Sequence, residues 1–283
     1  MTSGINRGIA EAQQHGIVTS TTLMARSRAF DDAAALARAL TENNPHFSVG
    51  CHVVLLDGDP VLPGDRVSSL LQQGTWNGSH FRVNLSDFAA AAFRGKLKPD
   101  EIEAEAAAQI GRLQEAGIQP SHFDTHKHAH MLPAVLRPLL RAARAQNVPA
   151  VRNPFGQLWP LPLGDVLLRR QLWKRFAQLS ALRNFAARFR EEVQAHGLRT
   201  TDGSVAVLVT GALDTKLFSK IAENIPEGTW EFVCHPGYND MELSQVRTRL
   251  RESRVRELEL LTSSEAREAL QQRGIELISY REL

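Results

Sequence analysis

Between Ser121 and His130 the chain reads SHFDTHKHAH, which puts His122, Asp124, His126, His128 and His130 on alternate positions. In an extended strand, side chains two apart share one face. Five polar groups on one strand face cannot all enter an apolar core. The face therefore lines something polar, or the strand ends partway along. Distance narrows this further, because His122 and His130 would stand roughly 26 Å apart if fully extended. One ion can take two neighbours at most, and further ligands must come from elsewhere in the chain.

A lone histidine is ordinarily a hydrogen-bonded core or surface residue. Four histidines and one aspartate within nine residues argue instead for a metal or catalytic site. Imidazole nitrogen is the common ligand of zinc and similar ions, and a carboxylate often orients the ring through its other nitrogen. Asp124 suits that orienting role or acts directly as a base. His52 interrupts the apolar run VGCHVVL and is a candidate for the missing ligand. His235 stands in CHPGYND, just after the apolar Trp230–Val233, where a Pro-Gly turn puts it at the C-terminal end of a strand. Barrel enzymes keep their reacting groups at that end, and an imidazole suits a general acid for an amine leaving group. Arg152 can orient a carboxylate, bind a polar substrate or form a surface ion pair. Cys51 and Cys234 each precede a histidine and read as packing residues. His15, His46, His80 and His196 read as surface residues.

Short β-branched runs alternate with longer helical patterns. Strands are expected at Ile17–Ala25, Phe47–Leu56, Ala150–Arg152, Val205–Thr210, Trp230–Cys234 and Ile275–Tyr280. Helices are expected at Asp31–Leu40, Pro99–Ala116, about Pro133–Gln146, most of Leu163–His196, about Asp214–Asn224 and Glu242–Arg273. This alternation predicts parallel strands with helical crossovers. Without a Gly-rich phosphate loop, it favours an α/β barrel over a dinucleotide-binding sheet, in one domain spanning residues 1–283. Phe155–Gly164, rich in proline and glycine, reads as a surface loop near the site.

The net charge of +2 over 283 residues gives no case for a nucleic-acid partner. Arg169–Arg190 and Arg247–Arg256 read as solvated helix faces. Two cysteines make no disulfide framework. No run reaches the ~18 apolar residues of a membrane span, and no signal peptide is evident. A cytoplasmic protein is expected.

Five blocks in order resemble the YdjC-like, or ChbG-type, carbohydrate deacetylases. They are Gly4–Met24, Val49–Pro60 with its VG-x-H-x-x-L core, Ser121–Pro133, Cys234–Asp240, and the tail Glu257–Leu283. The third block is similar to the pattern H-x-D-[ST]-H-x-H-x-H-x-x-P. The resemblance implies a distorted (β/α) barrel of about six to seven mostly parallel strands. It implies one divalent metal ion, zinc or magnesium first, and removal of an acetyl group from a small N-acetylated amino sugar. Carried onto this chain, His52 and His126 are the metal ligands and His235 is the general acid. Asp124 lies beside them, and Arg152, His128 and His130 are expected to meet the substrate. The family also allows a homodimer.

One departure bears on this reading. The family's first strand ends in Asp-Asp-Phe-Gly, which supplies a ligand and the base, and that motif would fall before Met1. The first strand is therefore expected to be missing. The rival reading is a catalytically silent relative that keeps the site as a sugar-binding module.

Overall fold

A computed structural model describes residues 2–72, 80–156, 173, 176–177 and 180–283. Helices and short parallel strands alternate: α1 (Ser3–Gln14), β1 (Ser20–Leu23), α2 (Phe30–Asn43), β2 (Ser48–Val53), α3 (Leu85–Phe93), α4 (Pro99–Glu115), β3 (Phe123–Thr125) and α5 (Pro133–Ala145). After these come α6 (Ala186–Ala195), β4 (Gly203–Val205), α7 (Thr215–Asn224), β5 (Trp230–Phe232), α8 (Met241–Ser244), α9 (Glu252–Thr262) and α10 (Ser264–Gln271).

Local chemistry sets the helix starts. Thr2 caps α1 by accepting from the Ile5 N–H, and Asp214 caps α7 by accepting from Leu217 at 2.8 Å. Ser263 caps α10 in the same manner, and prolines open α4 and α5. In these positions a side-chain oxygen satisfies an orphan N–H, or proline supplies none.

The strands form one three-stranded parallel sheet, β1-β2-β3, and one two-stranded parallel sheet, β4-β5. Isolated parallel bridges, Phe123 to Val151 and Ala150 to Arg199, continue the line from β3 toward β4. Among the described residues, five strands stand where six to seven were expected, and they do not close a barrel. Ala150–Arg152 contributes only these bridges. The strand expected at Val205–Thr210 lies earlier, at Gly203–Val205, and the chain turns after it. Ile275–Tyr280 is not a strand. It is held side-on instead, Thr19 Oγ1 donating to the Ile278 carbonyl at 2.7 Å and the Tyr280 N–H to Ser48 Oγ at 3.3 Å. The long helix expected at Glu242–Arg273 is three helices. Ser263 breaks the second from the third, because its cap bond needs an extended backbone. Residues 157–172, which hold most of the expected loop Phe155–Gly164 and the start of Leu163–His196, lie outside the described residues. Of that second segment, α6 is helical.

The main core lies between the three-stranded sheet and the helices on it. Phe47, just before β2, and Val49, Cys51 and Val53 from it meet Ile102, Ile110 and Leu113 from α4 and Leu136, Leu139 and Leu140 from α5. At about 25 cal/mol per Å² of buried apolar surface, each large side chain of this kind contributes roughly 1.5–3 kcal/mol before entropy is counted. Two polar residues of α4 are buried with them. The Gln109 amide exchanges hydrogen bonds with both backbone groups of Val54, at 2.8 and 2.7 Å. Glu105 accepts from the Val61 and Leu62 N–H groups at 2.7 and 3.0 Å. These bonds fix the segment that leaves β2, and Asp57 lies on it. No described helix is long and apolar enough to cross a membrane.

Candidate metal and catalytic site

Parallel pairing sets His52 of β2 directly beside Asp124 of β3. The register makes the contact: His52 Nδ1 donates to Asp124 Oδ1 at 2.7 Å. The strand then ends. Lys127 and His128 both adopt a left-handed backbone with φ of 54°, inside a short turn over His126–Met131. This conformation is uncommon for residues other than glycine, and it breaks the alternation that the sequence suggests. His126 swings toward His52, so that His52 Nε2 and His126 Nδ1 stand 3.4 Å apart. The outer nitrogen of His126 faces Asp57 at 3.9 Å. Lys127 reaches the same carboxylate at 2.6 Å.

The run thus divides. His122, 1% exposed, stacks on Tyr280 with ring centroids 3.7 Å apart and planes 8° apart, and bonds Ser121 Oγ at 2.9 Å. His130 is fully buried, its Nδ1 on Thr125 Oγ1 at 2.6 Å and its Nε2 on the Arg152 carbonyl at 3.2 Å. Both nitrogens of His130 are therefore engaged inside the protein. His128 Nδ1 is buried and has no hydrogen-bond partner among the described residues.

Arg152 bridges the two sheets. Its guanidinium pairs with Asp124 on one side and with Glu231 of β5 on the other, Nε to Oε2 at 2.8 Å and Nη2 to Oε1 at 2.5 Å. The Tyr280 hydroxyl donates to the same Glu231 at 2.5 Å. A continuous chain of contacts therefore runs from the C-terminal tail to His52 through Glu231, Arg152 and Asp124. Asp124 is fully buried with both oxygens engaged, one by His52 and one by Arg152. Glu231, Tyr280 and Asp57 were not legible as site residues. Asp57 had one signal, its position five residues after His52 at the end of an apolar run.

His235 follows β5. Its backbone N–H donates to Glu257 Oε2 at 2.6 Å, and its Nδ1, 4.0 Å from that oxygen, is buried without a partner among the described residues. The side chain as a whole is 32% exposed, so its accessible edge is not the Nδ1 edge.

Charge states follow from burial and partners. Desolvation disfavours the Asp124 carboxylate, but Arg152 and His52 outweigh it and hold the group well below the usual carboxylate range. The His126 contact, with Lys127, holds Asp57 below that range as well. Burial pushes the His122 and His128 imidazoles down to about 4 and those of His130 and His235 to about 3. With Asp124 ionised, His52 carries its hydrogen on Nδ1 and keeps a lone pair on Nε2. An ionised Asp57 favours hydrogen on His126 Nε2, leaving a lone pair on Nδ1. The remaining nitrogens, His52 Nε2 and His126 Nδ1, face each other.

Their spacing is that of two ligands on one ion. Two nitrogens each about 2.0–2.1 Å from a tetrahedral zinc stand about 3.3–3.4 Å apart, which matches the observed 3.4 Å. Carboxylates behind both rings match the supporting shell of metal-ligating histidines. Among the described residues, no group of three His, Cys, Asp or Glu side chains converges as a complete ligand set. His52 and His126 thus fit two ligands of an ion. His52, Asp57, His126, Arg152 and His235 all stand at or just beyond the C-terminal ends of parallel strands or bridges, the end at which α/β folds place their chemistry.

Over residues 1–272 the chain matches the family described as YdjC-like protein. It is 31% identical over 281 residues to a carbohydrate deacetylase of Brevibacillus brevis, a match covering 99% of this chain and 94% of that protein. A carbohydrate deacetylase of Geobacillus stearothermophilus is also 31% identical, over 280 residues, covering 99% of this chain and 92% of that protein. The fold resembles a crystal structure from Enterococcus faecalis V583 assigned to cellobiose-phosphate cleavage. That likeness has a TM-score of 0.76 at 26% identity and covers 99% of this chain and 94% of the other. With one family matched along nearly its whole length, this chain belongs to the YdjC-like family.

Proposed function

We propose that this protein is a metal-dependent carbohydrate deacetylase that hydrolyses the acetamide of a small N-acetylated amino sugar. The names of its relatives support the reaction class. One observation carries the site: His52 Nε2 and His126 Nδ1 face each other at 3.4 Å, with a carboxylate behind each ring. His52 and His126 would hold the ion, zinc or magnesium first. When bound, such an ion supplies Lewis acidity toward an acetamide carbonyl.

The protein's own groups do the rest. Asp124 keeps the hydrogen of His52 on Nδ1, and Arg152 keeps Asp124 ionised. Asp57 does for His126 what Asp124 does for His52. His235 presents its accessible edge outward and, neutral at rest, acts as the general acid by passing a proton taken from the attacking water to the departing amine nitrogen. Of the three residues expected to meet the substrate, His128 keeps an unpartnered ring nitrogen, while Arg152 and His130 are engaged by protein partners and brace the site. We read the five strands and their bridges as an arc of a distorted (β/α) barrel. No described feature favours the silent binding module.

The test is acetate release from a panel of N-acetylated mono- and short oligosaccharides, with zinc, magnesium, manganese, cobalt or nickel added. The expected result is release from at least one sugar, abolished by a chelator and by His126→Ala. No release with any sugar and metal, or full activity in His126→Ala, overturns the reading.

A further inference from the structure

Helix α9 buries three polar residues, Ser253, Arg254 and Glu257, and the last two bond the turn that carries His235. It grips that turn at three points. Glu257 Oε2 accepts the His235 N–H at 2.6 Å, the Arg254 guanidinium donates to the His235 carbonyl at 3.2 Å, and the Gly237 N–H donates to the Arg254 carbonyl at 3.3 Å. On the other side α1 packs against the same turn. The backbone of His235 is thus fixed, while its ring is not. His235 Nδ1 and Glu257 Oε1 are both buried and lack partners among the described residues, as does Ser253 Oγ. Glu257 is 1% exposed. A carboxylate is buried at such depth only when its oxygens are used. Here one oxygen holds the backbone, 4.0 Å from the ring nitrogen of His235, the Gly211 N–H also acts on the carboxylate, and Oε1 has no close partner among the described residues.

We propose that Glu257 is the positioning residue for His235, accepting its Nδ1–H so that Nε2 is the nitrogen that gives its proton to the leaving amine. This rests on the deacetylase reading. In the step, Nε2 of the neutral ring takes a proton from the attacking water as the water oxygen becomes bonded to the acetyl carbon, and the acetamide C–N bond then breaks with its electron pair going to nitrogen. That nitrogen takes the proton from Nε2. The ring is left neutral with its hydrogen on Nδ1, directed at Glu257. Hydrogen bonds of this kind are commonly long in a ligand-free site and tighten when substrate is bound.

Two measurements on the full chain decide it. In Glu257→Gln, which keeps an acceptor for the His235 N–H but removes the charge, kcat is expected to fall about tenfold or more while KM stays within about twofold. Glu257→Asp should restore part of kcat. Nitrogen NMR of protein labelled at histidine, with His235 assigned by its loss in His235→Asn, is expected to show hydrogen on Nδ1 in the wild type and a shift toward Nε2 in Glu257→Gln. A wild-type spectrum with hydrogen on Nε2, or unchanged kcat in Glu257→Gln, overturns the assignment. If the wild type deacetylates no sugar, the deacetylase reading falls, and the NMR result still decides whether Glu257 sets the tautomer.

Discussion

His52 and His126 turn one nitrogen each toward the other across 3.4 Å and the other nitrogen toward a carboxylate, Asp124 at 2.7 Å and Asp57 at 3.9 Å. If that pair holds an ion, the carboxylates tune it without touching it. Asp124→Asn should weaken zinc binding about 10–100-fold, the usual cost of losing such a support. His126→Ala should remove measurable binding. Titration calorimetry checks both, and wild-type affinity in Asp124→Asn would count against the orienting role.

Arg152 stands between Asp124 and Glu231 with its side chain 13% exposed. Breaking one arm of a buried ion pair leaves a charge poorly compensated, at about 3–5 kcal/mol. Glu231→Gln is expected to lower the melting temperature accordingly. Tyr280→Phe removes one hydrogen bond to the same carboxylate, and a smaller loss of about 1–3 kcal/mol is expected. A Tyr280→Phe protein that melts with the wild type would show that the tail does not brace the network.

Burial holds His122 and His128 down to about 4 and His130 and His235 to about 3, against about 6.5 in an unfolded chain. Between those values the unfolded chain binds protons that the native state does not. Stability therefore rises with pH through this window and falls as pH drops below about 6.5. Each such histidine adds up to about 1.4 kcal/mol per pH unit. Asp124 and Glu231, opposed by burial but held low by Arg152, add a further loss below about pH 4, where their unfolded forms protonate. Thermal melts across this range should show a melting temperature that declines from about pH 6.5 downward. A flat profile to about pH 5 would contradict the burial of neutral imidazoles.

A Cβ on Gly8 would lie 2.6 Å from the Gly237 Cα, so α1 can sit against the His235 turn only where both residues lack side chains. Gly8→Ala is expected to cost about 1–3 kcal/mol by overpacking and to reduce activity by displacing His235. Gly111, in α4, has open space where a Cβ would sit. Gly111→Ala should be neutral or stabilising by up to about 1 kcal/mol. Equal melting temperatures for the two variants would dismiss the close approach.

Helices with strong caps or clear periodicity were legible from sequence. Pro99 and the spacing of Ile102, Ala106, Ile110 and Leu113 place α4 within a residue of its observed end. The last apolar run was not legible in the same sense. Ile275–Tyr280 has strand composition, but side chains of Thr19 and Ser48 hold it in place of a ladder. At the site, the density of histidine marked the region. It did not say which histidines face which neighbours, because the left-handed turn at Lys127 and His128 is a backbone choice that their side chains do not announce.

The sequence by itself determined that helices and parallel strands alternate, that a polar strand end rich in histidine must line a site, and, through five ordered blocks, which family the chain resembles. These are local patterns and composition, and they are readable residue by residue. Only the tertiary structure decided that His52 meets Asp124, that Arg152 is enclosed between two carboxylates, and that Asp57, Glu231, Tyr280 and Glu257 surround the site. Those partners lie up to 156 residues from Asp124 in the chain. Their meeting depends on strand register and on the return of the C-terminal segments to the sheet, which no local pattern encodes.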